Sequence, residues 1–250
     1  MLETPFDFDY IYEEGNYETQ FKVNINGKEY LQSKIWEIRT SRKAFADNNP
    51  TFGNAMVGQI DLTIENPGIE IPRSASIKPY TRIVSKDLGI ASGWIQKGEF
   101  FIDTREEDSS DDIDLIVIQG FDAMRKAYRK YPSSTLVWDN TSPYTDEVVI
   151  EVVGFMFGVS SWLAQQYIDW DTMAILTNNR YLVNFPAQYT LAEVLGSIAA
   201  MYGGNFIMSD SGLLKLVRFA DLPKETYYLI NERGKRITFG GTRILLKRGV

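Results

Sequence analysis

The chain has 250 residues, of which 44% are hydrophobic and 24% charged, with a formal net charge of −7. That length and composition suit one or two packed cores and argue against wholesale disorder. The sequence contains no cysteine and no histidine, which excludes disulfides, thiolate nucleophiles, the usual structural zinc sites and every triad built on an imidazole base.

Carboxylate-only chemistry such as glycoside hydrolysis passes that filter, as does chemistry dependent on magnesium or calcium. The N-terminal residues Met1 to Asp9 lack a basic region followed by an apolar one, so they do not read as a secretory signal, and residence in a cytoplasm is expected. The longest apolar stretch, Val148 to Val159, is broken by Glu151 and Gly154 and is too short to span a bilayer, so no membrane is expected as a partner. The negative charge disfavours direct nucleic-acid binding, which needs a basic stripe, but it is compatible with a wall past which DNA slides without sticking.

The first seventeen residues mix acids with Phe6, Phe8, Tyr10, Tyr12 and Tyr17 without a clean period and read as an arm or short edge element. Phe21 to Ile25, Asn26-Gly27 and Lys28 to Leu31 then carry the strongest short-range hairpin signal. A strand through Ile35, Trp36 and Ile38 follows, and a loop from Asp47 to Asn54 separates it from a strand over Met56 to Glu65 that stops at Asn66-Pro67-Gly68. Further strands are expected at Lys78 to Val84, Gly93 to Thr104 and Ile113 to Ile118. Short strands at about ten-residue spacing, broken by turn residues, indicate an antiparallel sandwich or barrel.

Phe121 to Tyr131 reads as a short helix with Asp122 as N-cap and Pro132 behind it, and a second helix is favoured from Ser142-Pro143 through Val159. The clearest element begins at Thr190, where Thr190 and Glu193 form a capping box. Leu191, Val194, Leu195, Ile198, Ala199 and Tyr202 keep one buried helical face, and Gly203-Gly204 ends it. A hairpin over Asn205 to Phe219 follows, and Lys235 to Lys247 holds strand-like runs around Gly240-Gly241.

Several clusters invite a chemical role. The acidic run Glu106 to Asp114 lacks the spacing of a calcium loop and reads as a solvated connection. Glu147, Glu151, Asp169 and Asp171 could supply a carboxylate pair for sugar hydrolysis, although sequence spacing says nothing of their separation. Trp162, Tyr167 and Trp170 could stack on a sugar or contact a protein, while core anchoring is the commoner fate of such aromatics. Gly203-Gly204 and Gly240-Gly241 lack phosphate-loop spacing and read as caps and strand bends. No catalytic, cofactor-binding or metal residue is assigned, and no cofactor is expected.

One ordered set of segments is more specific. Ile35-Trp-Glu-Ile-Arg-Thr-Ser-Arg42 leads to Phe52-Gly-Asn-Ala55, Val57-Gly-Gln-Ile-Asp-Leu-Thr-Ile-Glu-Asn66-Pro67, Ile71-Pro-Arg-Ser-Ala75 and Lys78-Pro-Tyr80. Trp94 to Thr104 and Gln119 to Ala123 continue the order, and Thr190 to Val217 supplies a capped helix, Gly-Gly-Asn and a hairpin. In this order the chain resembles tail-tip and baseplate hub proteins of phages and prophages, including tail-associated structural proteins from Gram-positive hosts.

The resemblance implies a virion structural protein, not an enzyme, of α+β, strand-dominated fold: two β-barrel-like or sandwich units with short packed helices. Residues 1–140 would form the N-terminal hub unit, and residues 141–250 the second, with its helix over 190–203. It also implies a homotrimeric ring at the end of the tail tube, touching the distal tail protein and fibre or lysin modules. Assembly would take place in the host cytoplasm before incorporation into the tail. Receptor-binding or wall-degrading regions of longer members have no counterpart in these residues. Two other readings remain: a carbohydrate-binding β module using Trp162, Tyr167 and Trp170, and a tail-attached glycosidase using carboxylates.

Overall fold

The computed structural model describes residues 6–44, 51–68, 70–108, 113–132, 143–183 and 189–221, together with the short paired segments 227–228, 238–239, 242–243 and 245–246. The protein is α+β and strand-dominated, with one large antiparallel sheet and a group of short helices. The strands of the sheet are β1 (Tyr17–Ile25), β2 (Lys28–Leu31), β3 (Ile35–Ser41), β4 (Gln59–Glu65), β5 (Ser76–Ser85), β6 (Ile95–Gln96), β7 (Phe100–Asp108) and β8 (Leu115–Asp122). Their order is β2-β1-β5-β7-β8-β4-β3, with β6 paired to β5.

The opening hairpin follows from its turn. Ile25 pairs with Lys28, and both turn residues are left-handed, Asn26 at φ 49° and Gly27 at φ 88°. This geometry matches strand twist and is easiest for an Asn-Gly pair. In β4, Ile60, Leu62 and Ile64 are buried while the residues between them are half-exposed, so one face of the strand feeds the core.

The sheet is curled. Its edge strands β2 and β3 are consecutive in the chain, joined by the three-residue 3₁₀ turn Gln32–Lys34. Seven flat strands would separate the edges by about 29 Å at ~4.8 Å per strand. The link from Leu31 to Ile35 spans at most about 14 Å, so the edges must approach at that corner. Among the described residues no ladder joins β2 to β3, so the curled sheet of the expected barrel-like or sandwich unit is not closed into a barrel. Val23, Ile25, Ile60, Leu62, Ile64, Ile77, Phe100, Ile116 and Ile118 fill the inside of the curl.

Beyond residue 143 helices dominate the described residues, and no barrel is found among them. The helices are α2 (Thr145–Phe157), α3 (Ser161–Ala164), α4 (Trp170–Asn178) and α5 (Leu191–Met201), with the hairpin β9 (Gly204–Met208) and β10 (Leu214–Arg218). Val148, Val149, Val152, Val153, Leu176, Leu191, Leu195, Ile198, Phe206 and Leu214 share a core with Ala123, Met124, Ala127 and Tyr131 from the end of the sheet. The division proposed near residue 140 lies outside the described residues.

Two local expectations change. The N-terminal arm is a helix, α1 (Phe6–Glu14), that seats Ile11 in the interior while Tyr10 and Tyr12 stay exposed. With one buried anchor among its described side chains, it leaves no helical period to read. The segment after Asp122 is a 3₁₀ helix over Ala123–Tyr128, shorter than the expected run to Tyr131. It ends early because residues 129–131 bond to 189–191: Leu191 N–H donates to Arg129 O at 3.0 Å and Tyr131 N–H to Tyr189 O at 2.9 Å.

Candidate functional site

Two chain segments from the ordered motif set meet where the sheet joins the helices. The strand-like stretch through Asn54 and Met56 runs along β9: Gly53 N–H donates to Gly204 O at 3.0 Å, Phe206 N–H to Asn54 O at 2.9 Å and Met56 N–H to Phe206 O at 2.8 Å. Asn205, fully buried, ties the loop ends together. Its Nδ2 donates to Ala44 O at 2.8 Å and Thr51 O at 2.7 Å, and its Oδ1 accepts from Asn54 N–H at 2.9 Å. Both donors and the acceptor of the amide are thus engaged, as burial requires.

Helix α5 approaches this seam through a glycine. A Cβ on Gly196 would lie 2.4 Å from Gly53 O, so only hydrogen fits there. The Thr190 capping box places the helix: Glu193 N–H donates to Thr190 Oγ1 at 3.2 Å and Thr190 N–H to Glu193 Oε2 at 2.7 Å. On the far side, Phe52 meets Phe219 edge-on with ring centroids 5.9 Å apart.

A charged node lies beside the same seam. Asp122 is buried, and its carboxylate accepts from Gly58 N–H at 2.8 Å and Met124 N–H at 3.0 Å. Burial pushes its pKa up to about 7 despite those two hydrogen bonds and the Arg42 charge, all of which favour ionisation. The Arg42 guanidinium donates to Met208 O at 3.3 Å and faces Asp210 as an ion pair. Burial lowers the pKa of Arg42, and burial followed by the Arg42 charge lowers that of Lys97. Gln96 adds a bond from Nε2 to Asp210 O at 2.8 Å, so Arg42, just past the end of β3, and Gln96 of β6 both hold the β9–β10 turn.

Sequence reasoning identified Asp122 only as a helix cap. The missing signal was parity: Ile116, Ile118, Gly120 and Asp122 share the buried phase of β8, so a carboxylate occupied an inward position. The Arg42–Asp210 pair carries no local signal, because its partners come from distant parts of the chain.

The residues singled out for chemistry are dispersed into structural roles. Tyr167 stacks on Phe157 with centroids 4.2 Å apart and joins the core, whereas Trp162 and Trp170 are 73% and 84% exposed. Core anchoring therefore holds for Tyr167 and fails for both tryptophans, and no three-ring platform forms. Asp169 caps α4, accepting from Thr172 N–H at 3.3 Å, and Asp171 is exposed in the first turn. Glu147 accepts from Tyr144 N–H at 2.9 Å and pairs with Arg180, which also pairs with Asp146 at 2.8 Å. Glu151 accepts from Tyr131 Oη at 2.8 Å, and burial pushes both their pKa values up.

Glu106, Glu107 and Asp108 lie exposed on β7, and the next four residues of the acidic run lie outside the described residues. Among the described residues no three acids gather as a metal site. No single described helix is long and apolar enough to cross a membrane; Thr145–Phe157 and Ser161–Tyr167 reach that length only as a pair bent by 96°.

No protein-family model matches this chain, and no curated protein matches it. Among solved structures it is similar to the tail protein from Neisseria meningitidis MC58, at 14% identity and a TM-score of 0.48, over 83% of this chain and 53% of that one. The chain thus spans about half the length of that protein. It is also similar to the 43 kDa tail protein of prophage MuSo2 from Shewanella oneidensis, at 16% identity and a TM-score of 0.45, over 90% of this chain and 70% of that one. Both of these structural neighbours are tail proteins, the second from a prophage.

Proposed function

We propose that this chain is a structural component of a phage or prophage tail tip, a baseplate-hub subunit that forms a homotrimeric ring at the end of the tail tube. It acts by assembly and not by catalysis. The observation that carries this reading is the meeting of Phe52–Ala55 with Gly203–Asn205 around the buried Asn205 amide. These are two of the segments whose order resembles hub proteins, and they build a single hydrogen-bonded joint. In this reading residues 1–140, with the curled sheet, form the first hub unit and residues 141–250 the second. The partners are other copies, the distal tail protein, the tail tube and fibre or lysin modules, met first in the host cytoplasm and then in the virion tail.

The sugar-binding reading loses its platform with Tyr167 stacked into the core. The glycosidase reading loses its carboxylate pair, since Glu147, Glu151 and Asp169 each satisfy a neighbouring donor and only Asp171 of the four candidates is left without one among the described residues. The test is solution mass by light scattering over a range of protein concentrations. A mass of three chains supports the ring. A single-chain mass of 28.5 kDa at every concentration overturns it, and binding to cell-wall glycans would then favour a sugar module.

A further inference from the structure

Two exposed surfaces of opposite charge stand out on the molecule. The first is the run Arg125, Tyr128, Arg129 and Lys130, all solvent-facing on the 3₁₀ helix and the extended residues after it. Arg125 lies over the rings of Phe121 and Tyr128, 5.4 and 6.0 Å from their centroids, which orders the guanidinium without neutralising it. Among the described residues no carboxylate pairs with Arg125, Arg129 or Lys130. The backbone beneath is fixed by the bonds from Leu191 and Tyr131 and by the Asp122 cap, so docking would order little further chain.

The second surface is the corner between α3 and α4. Trp162, Leu163, Trp170 and Asp171 are exposed there on a backbone held by the Tyr167–Phe157 stack and the Asp169 cap. Of the five acids in residues 143–183, Asp146 and Glu147 pair with Arg180, Glu151 accepts from Tyr131 and Asp169 caps α4, so the negative charge this corner offers is that of Asp171. Asp171 has no cationic partner among the described residues.

The chemistry of the two surfaces is complementary. Arginine and tyrosine on one side and tryptophan on the other are the residue types that dominate interface energetics, and a guanidinium over an indole face is favourable when desolvated. Neither surface suits its own copy, because like charges would face each other. We propose that the Arg125–Lys130 run of one copy docks on the Trp162–Asp171 corner of a second copy, head to tail. Each subunit then offers one surface and accepts the other, the arrangement from which rings close. This inference rests on the ring reading and names the contact that would build it.

The test uses two variants of the full chain, Arg125→Glu/Arg129→Glu and Trp162→Ala/Trp170→Ala, with thermal melting as the folding control. Wild type should assemble, and each variant alone should run as a monomer that still melts in one cooperative transition, with a midpoint independent of protein concentration. Mixed one to one, the variants should form a dimer and nothing larger, because one intact surface remains on each. Restoring the charge pair in the reversed sense, Arg129→Glu with Asp171→Arg, should recover at least part of the assembly lost with Arg129→Glu alone. Assembly of both variants at wild-type strength would overturn this contact and leave the ring reading standing. A monomeric wild type at all concentrations would overturn both.

Discussion

The backbone N–H of Asn54 donates to the side-chain oxygen of Asn205 at 2.9 Å, across 151 residues of sequence. The same amide satisfies Ala44 O and Thr51 O, so one side chain completes three backbone groups from the loop that leaves β3. Replacing it with leucine strands those groups in the interior, at about 1–3 kcal/mol each for any that stay dry. Asn205→Leu is therefore expected to lower stability by roughly 3–5 kcal/mol, measured as the urea midpoint. A loss under about 1 kcal/mol would show that water replaces the amide.

Asp122 makes stability depend on pH in the opposite sense to a surface carboxylate. Its folded pKa of about 7 lies above the ordinary value of 3.8, so the folded protein holds a proton that the unfolded chain releases between those values. The contribution is fully present below about pH 4 and is lost as pH rises toward 7, up to about 4 kcal/mol at ~1.4 kcal/mol per unit. Asp122→Asn removes that titration. The stability of wild type relative to the variant should therefore fall as pH rises from 4 to 8 in paired urea titrations, and a constant difference would refute the assignment.

Gly196 sets helix propensity against packing. Alanine in a helix interior is ordinarily favoured over glycine by about 1 kcal/mol. Here its Cβ would press on Gly53 O at 2.4 Å, a backbone atom fixed by the Gly53–Gly204 and Asn54–Phe206 bonds. Overpacking of this kind costs about 1–3 kcal/mol. Gly196→Ala should thus lower the melting temperature, and a rise would mean that the loop yields.

The elements read correctly from sequence are those whose cause lies within a few residues. Asn26-Gly27 dictates its hairpin, Thr190 and Glu193 dictate the start of α5, and the alternation of Ile60, Leu62 and Ile64 dictates the inward face of β4. Asp122 was legible as a cap for the same reason, since Met124 is two residues away. What escaped depends on distant chain. The pairing of 129–131 with 189–191 shortens the 3₁₀ helix, and the Arg42–Asp210 ion pair joins the residue just after β3 to a turn near the other end. Helices α3 and α4, of four and nine residues, are too short to show a period. The open curl of the sheet follows from strand order, and that order is set by pairings no local pattern encodes.

The aromatic residues of the α3–α4 corner divide by what they touch, and substitution should reveal the division. Trp162 and Trp170 project into solvent, so Trp162→Ser and Trp170→Ser should each change monomer stability by no more than about 0.5 kcal/mol. Tyr167 lies between them in sequence but stacks on Phe157 at 4.2 Å within the helical core. Tyr167→Ala removes that stack and should cost about 2–4 kcal/mol, near the range for truncating a packed aromatic. The three variants compared by urea unfolding under conditions that keep the protein monomeric separate the roles. Equal losses at all three positions would mean that the tryptophans are core residues. A loss confined to Tyr167 would leave the tryptophans available for contacts outside the subunit.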